Sequence, residues 1–212
     1  MDKLQVCNLA IAAMGSGRRL DTLTEATPEA EACTLNFQMA LDLCLDRNNW
    51  SFARRDEIIT PKELYGGEGM AVPYLYVYKI PKDTARVLYL KPMGSSSIDE
   101  TGGATRGIDF NFRNIDDVRY IACDYPAPFE IHYQAKINDL NVCTPSFIYA
   151  LSLQLAILIA PSVIGGSEGF KIIEVLNKQF EQAIIRAAAV DAQQGSYALS
   201  SNKRISFVEC RQ

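Results

Sequence analysis

The sequence predicts an α+β protein: a helical bundle formed by N- and C-terminal helices, an inserted antiparallel β domain and an extended C-terminal arm. Three observations predict it. Apolar residues recur at three- and four-residue steps up to about Arg47 and again after Pro145. Between these stretches, short aromatic and β-branched runs are cut by Gly, Pro and Asp. The closing stretch from Gln193 is polar before it alternates. The expected boundaries are residues 1–52 and 138–192 for the discontinuous helical domain, 53–137 for the β domain and 193–212 for the arm.

Leu4, Cys7, Ile11 and Met14 give a short amphipathic helix over 2–14, stopped by Gly15 and Gly17. "TPEAEAC" is a helix start, with Thr27 as N-cap, Pro28 at the first helical position and Glu29 at the positive end of the dipole. This second helix runs to about Arg47 and carries two stripes. Cys33, Phe37, Leu41 and Cys44 form one, and Leu35, Met39 and Leu43 form another on the opposite side. Either the helix is central to its own bundle, or one stripe, Leu35, Met39 and Leu43, faces a neighbouring subunit.

Strands are expected at 74–80, 85–91, 107–112, 118–123 and 129–137, with polar, glycine-rich loops at 65–73 and 94–107. After Pro145 a buried helix reaches residue 160, and a long helix over about 167–192 buries Ile173, Leu176, Phe180, Ile184 and Ala187. Within the arm, Ile205, Phe207 and Val208 are apolar anchors. The arm is either disordered or adds to another chain by strand addition or groove binding.

The chain has 212 residues, and 21 Lys plus Arg against 25 Asp plus Glu leave a net charge of −4, which argues against general attraction to phosphate backbones. Six scattered cysteines without a C-x-x-C pair indicate neither a zinc site nor a disulfide framework, and read as reduced core fillers. The apolar run at 147–160 is shorter than the roughly 18 residues of a spanning helix and has Gln154 at its middle, so no membrane partner is expected. The start of the chain lacks the uninterrupted apolar run of a secretion signal.

No catalytic or cofactor motif is present. The one histidine, His132, alternates with Glu130, Gln134 and Lys136 on what reads as the solvent face of its strand. "GSGRR" and "TGGATRG" lack the phosphate-loop pattern, and Asp56–Glu57 and Asp116–Asp117 are sequence neighbours that point apart on a strand. The expectation is a protein that is not an enzyme, with no catalytic residue, metal or cofactor. The doublets Arg18–Arg19 and Arg54–Arg55 are expected as ion-pair partners of residues such as Asp21, Asp46 or Glu57, or of a neighbouring subunit. The alternative is a small DNA-binding or packaging accessory protein that uses them on phosphates.

"CNLAIAAMGSGRRLDTLTEATPEAEAC", "NNWSFARR", "YKIPKDTARVLYL" and "PSFIYALSLQLAILIAPSVIGG", in that order, resemble the tail tubular protein A family, the head-to-tail adaptors of short-tailed bacteriophages. The resemblance spans nearly the whole chain and is strongest in the first 55 residues and at 145–166. It implies a structural virion protein at the head–tail junction, assembled in the host cytoplasm. It also implies a homo-oligomeric ring, usually of twelve copies, that binds the portal protein, receives the tail nozzle protein and meets other tail proteins or a tail fibre. Such a ring continues the DNA channel, and DNA should pass without specific binding, because each neutralised phosphate adds to retention. Ile205, Phe207 and Val208 are then candidates for a portal-binding arm. In "NNWSFARR", Asn48 and Asn49 can end the second helix, Trp50 and Phe52 supply apolar area at the domain junction, and Arg54 and Arg55 begin the crossing strand.

Overall fold

The computed structural model describes residues 1–60, 74–94 and 107–203, without the side chains of 167, 168 and 194–203. The protein is α+β, with four helices and two antiparallel three-stranded sheets among the described residues. It divides into two compact units, Met1–Phe52 with Ile137–Gln212, and Ala53–Lys136.

In the helical unit, α1 (Lys3–Ala13) starts on a capping box: the Gln5 N–H donates to the Asp2 carboxylate at 2.8 Å, and the Asp2 N–H donates to the Gln5 side chain at 3.1 Å. Gly15, at φ 77°, carries the chain out of the helix. Helix α2 (Pro28–Asp46) has Thr27 as N-cap and Pro28 in its first turn, and it ends one residue before the expected stop, with Arg47 rather than an asparagine as its C-cap.

Helix α3 (Pro145–Val163), capped by Thr144, runs past the expected end at 160. Pro161 stands in its final turn, where the missing N–H removes one terminal bond, and the Ile164 N–H still reaches the Ala160 carbonyl at 3.0 Å. Among the described residues α3 alone has the length and hydropathy to cross a membrane, so the expectation that this run is too short is corrected. It is nevertheless the core of its unit, with 61% of its apolar window buried, and it packs against α1, α2 and α4.

Gly165 and Gly166, at φ 64° and 59°, turn the chain into α4 (Gly166–Lys203), whose Leu176, Phe180, Ile184 and Ala187 are buried. Residues 193–203 are therefore helical where an extended arm is expected. The Ser-rich composition is a weak helix deterrent, and a helix already nucleated upstream propagates through it. Ile205, Phe207 and Val208 lie outside the described residues.

In the β unit, β1 (Arg54–Ile59), β6 (Phe129–Ala135) and β3 (Thr84–Pro92) form one sheet in that order. The second is β2 (Tyr76–Lys79), β5 (Val118–Cys123) and β4 (Phe110–Ile115), and every pairing is antiparallel. One core joins the sheets, with Leu90, Phe129 and Ile131 from the first facing Tyr78, Ile121 and Cys123 from the second. Asp116 and Asp117, at φ 48° and 61°, are the two turn residues of the β4–β5 hairpin, a geometry that Asp tolerates and that suits the twist of the strands.

Candidate functional site

Trp50 is fully buried within the helical unit. Its indole Nε1 donates to the Cys44 carbonyl at 3.0 Å, one of the last-turn carbonyls of α2 that lie beyond the regular helix ladder. Its ring meets Phe147 edge-on at 4.9 Å and stacks with Phe52 at 5.7 Å. The next residue, Ser51, donates its N–H and its hydroxyl to the buried Asp191 of α4, at 2.9 and 2.6 Å. The chain at Trp50 and Ser51 is thus fixed to α2, α3 and α4 before β1 begins at Arg54.

The stripe on α2 is exposed. Leu35, Met39 and Leu43 are 79%, 58% and 39% accessible, while Cys33, Phe37, Leu41 and Cys44 on the opposite side are buried against the rest of the unit. Helix α2 is therefore not central to its own bundle; α3 holds that place. A lone exposed leucine needs no explanation, but three large apolar side chains at four-residue steps are an aligned surface.

The two arginine doublets lie in different units, Arg18 and Arg19 in the helical one and Arg54 and Arg55 in the β one. Arg18 pairs with Glu29 at 3.1 Å, a carboxylate in the first turn of α2 and not one of the expected partners. Arg54 and Arg55 open β1, where Arg55 Nη1 donates to the Arg54 carbonyl at 2.8 Å.

His132 lies on the face of its strand opposite the core, as expected, but its own side chain is only 15% exposed. A bulge at Leu88 sets Tyr89 opposite His132, and the rings stack at 4.3 Å. From β1, Asp56 lies 2.6 Å from His132 Nδ1, and Glu130 lies 3.3 Å from Nε2 and 3.8 Å from Lys91. Gln134, expected beside it in solvent, is buried and accepts from Arg86 at 3.1 Å. Glu130 was visible two residues from His132, but Asp56 and Tyr89 reach it only through strand register. With both ring nitrogens engaged by carboxylates and Tyr89 stacked on the ring, the arrangement ties three strands together.

Cys7 on α1 and Cys33 on α2 are buried near each other, and the interaction between the two thiols pushes Cys7 up and holds Cys33 below the usual thiol range. Burial pushes Cys44 up to about 12, and burial with the Asp139 carboxylate nearby pushes Cys143 to about 11. Among the described residues no His, Cys, Asp and Glu group of three is placed to hold a metal ion. An open groove of about 320 Å³ is lined by Glu57, Tyr78 and Lys82. The feature with the clearest functional geometry is the outer face of α2. No protein-family model matches the chain, and no curated protein matches it.

Proposed function

We propose that this chain is a head-to-tail adaptor of a short-tailed bacteriophage, a structural protein whose copies form a ring between portal and tail nozzle around the DNA channel. The single observation that carries the reading is the exposed Leu35, Met39 and Leu43 face on a capped helix whose other side is anchored in its unit. An apolar ladder on a rigid element suits a fixed contact between subunits. Three further features support it. The sequence resembles that adaptor family in ordered segments along the chain, its charge of −4 suits a channel that must not hold DNA, and the turn at Trp50 and Ser51 is fixed within the helical unit. Two compact units in one chain provide separate surfaces, one for the ring and one for other tail proteins.

The experiment is co-sedimentation of the purified chain with portal rings of the phage that carries it. Retention at a fixed, high copy number per portal is expected, and retention should fall when Leu35 and Met39 are changed to Glu. A chain that never sediments with portal overturns the reading.

A further inference from the structure

Helices α1 and α2 touch, and their register brings two of the six cysteines together. Lys3 Nζ of α1 stands over the Phe37 ring of α2, 4.7 Å from its centroid. Cys7 is one turn onward from Lys3 on α1, and Cys33 is one turn back from Phe37 on α2. Residues four apart share a helix face, so stepping in opposite directions from the Lys3–Phe37 contact sets Cys7 against Cys33. Both side chains are fully buried, so each thiol faces protein rather than water.

The chemistry of the two thiols agrees with this placement. Interaction with Cys7 holds the Cys33 thiol below its usual range, with Lys3 acting in the same direction, against burial and the Glu29 carboxylate. Interaction with Cys33, together with burial, pushes Cys7 the other way. One sulfur is disposed to give up its proton and the other to keep it, which is the arrangement of a nucleophilic thiol beside a resolving one. Cys44, Cys123 and Cys143 are raised chiefly by burial, and no second thiol acts on them.

We infer that Cys7 and Cys33 form a redox site at which a peroxide closes a disulfide that ties α1 to α2. The Cys33 thiolate attacks one peroxide oxygen, the O–O bond breaks, and the second oxygen leaves as hydroxide and takes up a proton to become water. Cys33 is then a sulfenic acid. The Cys7 sulfur attacks the Cys33 sulfur, the S–O bond breaks, and the hydroxyl leaves with the Cys7 proton as a second water. Two thiols are oxidised to one disulfide, and one peroxide is reduced to two waters. Burial slows the first step, because peroxide must enter during a local opening of α1. The site uses contacts within one chain and stands apart from the adaptor reading.

The test treats the full chain with hydrogen peroxide under native conditions, caps the remaining thiols with N-ethylmaleimide in denaturant, digests without reductant and reads the peptides by mass spectrometry. The expected product links Cys7 to Cys33 and leaves Cys44 and Cys143 capped by maleimide. Because the link closes the loop between residues 7 and 33, the melting temperature should rise by about 5–10 °C, and dithiothreitol should reverse the rise. Cys33→Ala should abolish the link and Cys143→Ala should leave it, with circular dichroism confirming that each variant is folded before oxidation. If Cys33→Ala does not fold, the map of the parent chain still decides. Sulfinic or sulfonic acid at Cys33 without a link, a link between other cysteines in its place, no oxidation, or a linked chain that melts below the parent would overturn the inference.

Discussion

Ser51 donates both its N–H and its hydroxyl to the two oxygens of Asp191, at 2.9 and 2.6 Å, across 140 residues of sequence. Asp191 is 4% exposed, so its carboxylate is an anchor fixed by hydrogen bonds rather than a surface charge. Hydrogen bonds to a buried charged group contribute about 1.5–3 kcal/mol each, and the donors left behind pay their own desolvation. Asp191→Ala should therefore cost about 2–4 kcal/mol, measured by urea melts followed through Trp50 fluorescence. The fluorescence reports the helical unit because the only Trp lies inside it. A midpoint equal to the parent's would mean that Ser51 finds solvent or another partner without loss.

Trp50→Ala removes a fully buried ring that touches Phe52 and Phe147 and donates to the Cys44 carbonyl. The expected loss is about 3–5 kcal/mol, as for other large core aromatics. Trp50→Phe should recover most of the packing and lose about 1 kcal/mol for the missing hydrogen bond. Thermal melts by circular dichroism at 222 nm give both numbers, and a Phe variant no better than Ala would place the weight on the hydrogen bond instead.

The sequence disclosed elements whose signals are local. Thr27, Pro28 and the acidic first turn mark the start of α2 because a cap and the helix dipole act within one turn, and the α2 stripes follow from helical period alone. It disclosed less where the deciding contact is distant. His132 reads as solvated because strand alternation says nothing of β1 or β3, and only register and the Leu88 bulge bring Asp56 and Tyr89 to it. Asp191, set in the Ala-rich run of α4, carries no local signal that points to Ser51. Residues 193–203 read as extended because Gly and Ser lower propensity, while helix growth from the preceding turns decides the outcome.

Alkaline pH should destabilise the helical unit. In the folded protein Cys44 is raised from 9.0 to about 12 and Cys143 to about 11, so the unfolded chain loses those protons first. The stability these thiols contribute is fully present below pH 9 and is lost as pH rises through their folded values, with a slope up to about 1.4 kcal/mol per pH unit for each proton. Cys44→Ala should show a shallower fall between about pH 9 and 11 than the parent in urea melts followed by Trp50 fluorescence. Equal slopes would mean that other groups govern the alkaline limb.

Duplex DNA should not be held. With a charge of −4 and Arg18 engaged by Glu29, retention in a gel shift should vanish at physiological salt. Submicromolar binding at that salt, removed by neutralising Arg18, Arg19, Arg54 and Arg55, would favour the accessory-protein alternative.

The most direct measurement is a cryo-electron microscopy reconstruction of the protein bound to its portal vertex. A closed ring of copies around an open channel is expected, with Leu35, Met39 and Leu43 of each copy covered by the next. A chain seen there as isolated copies, or as a ring in which these three side chains face solvent, would contradict it.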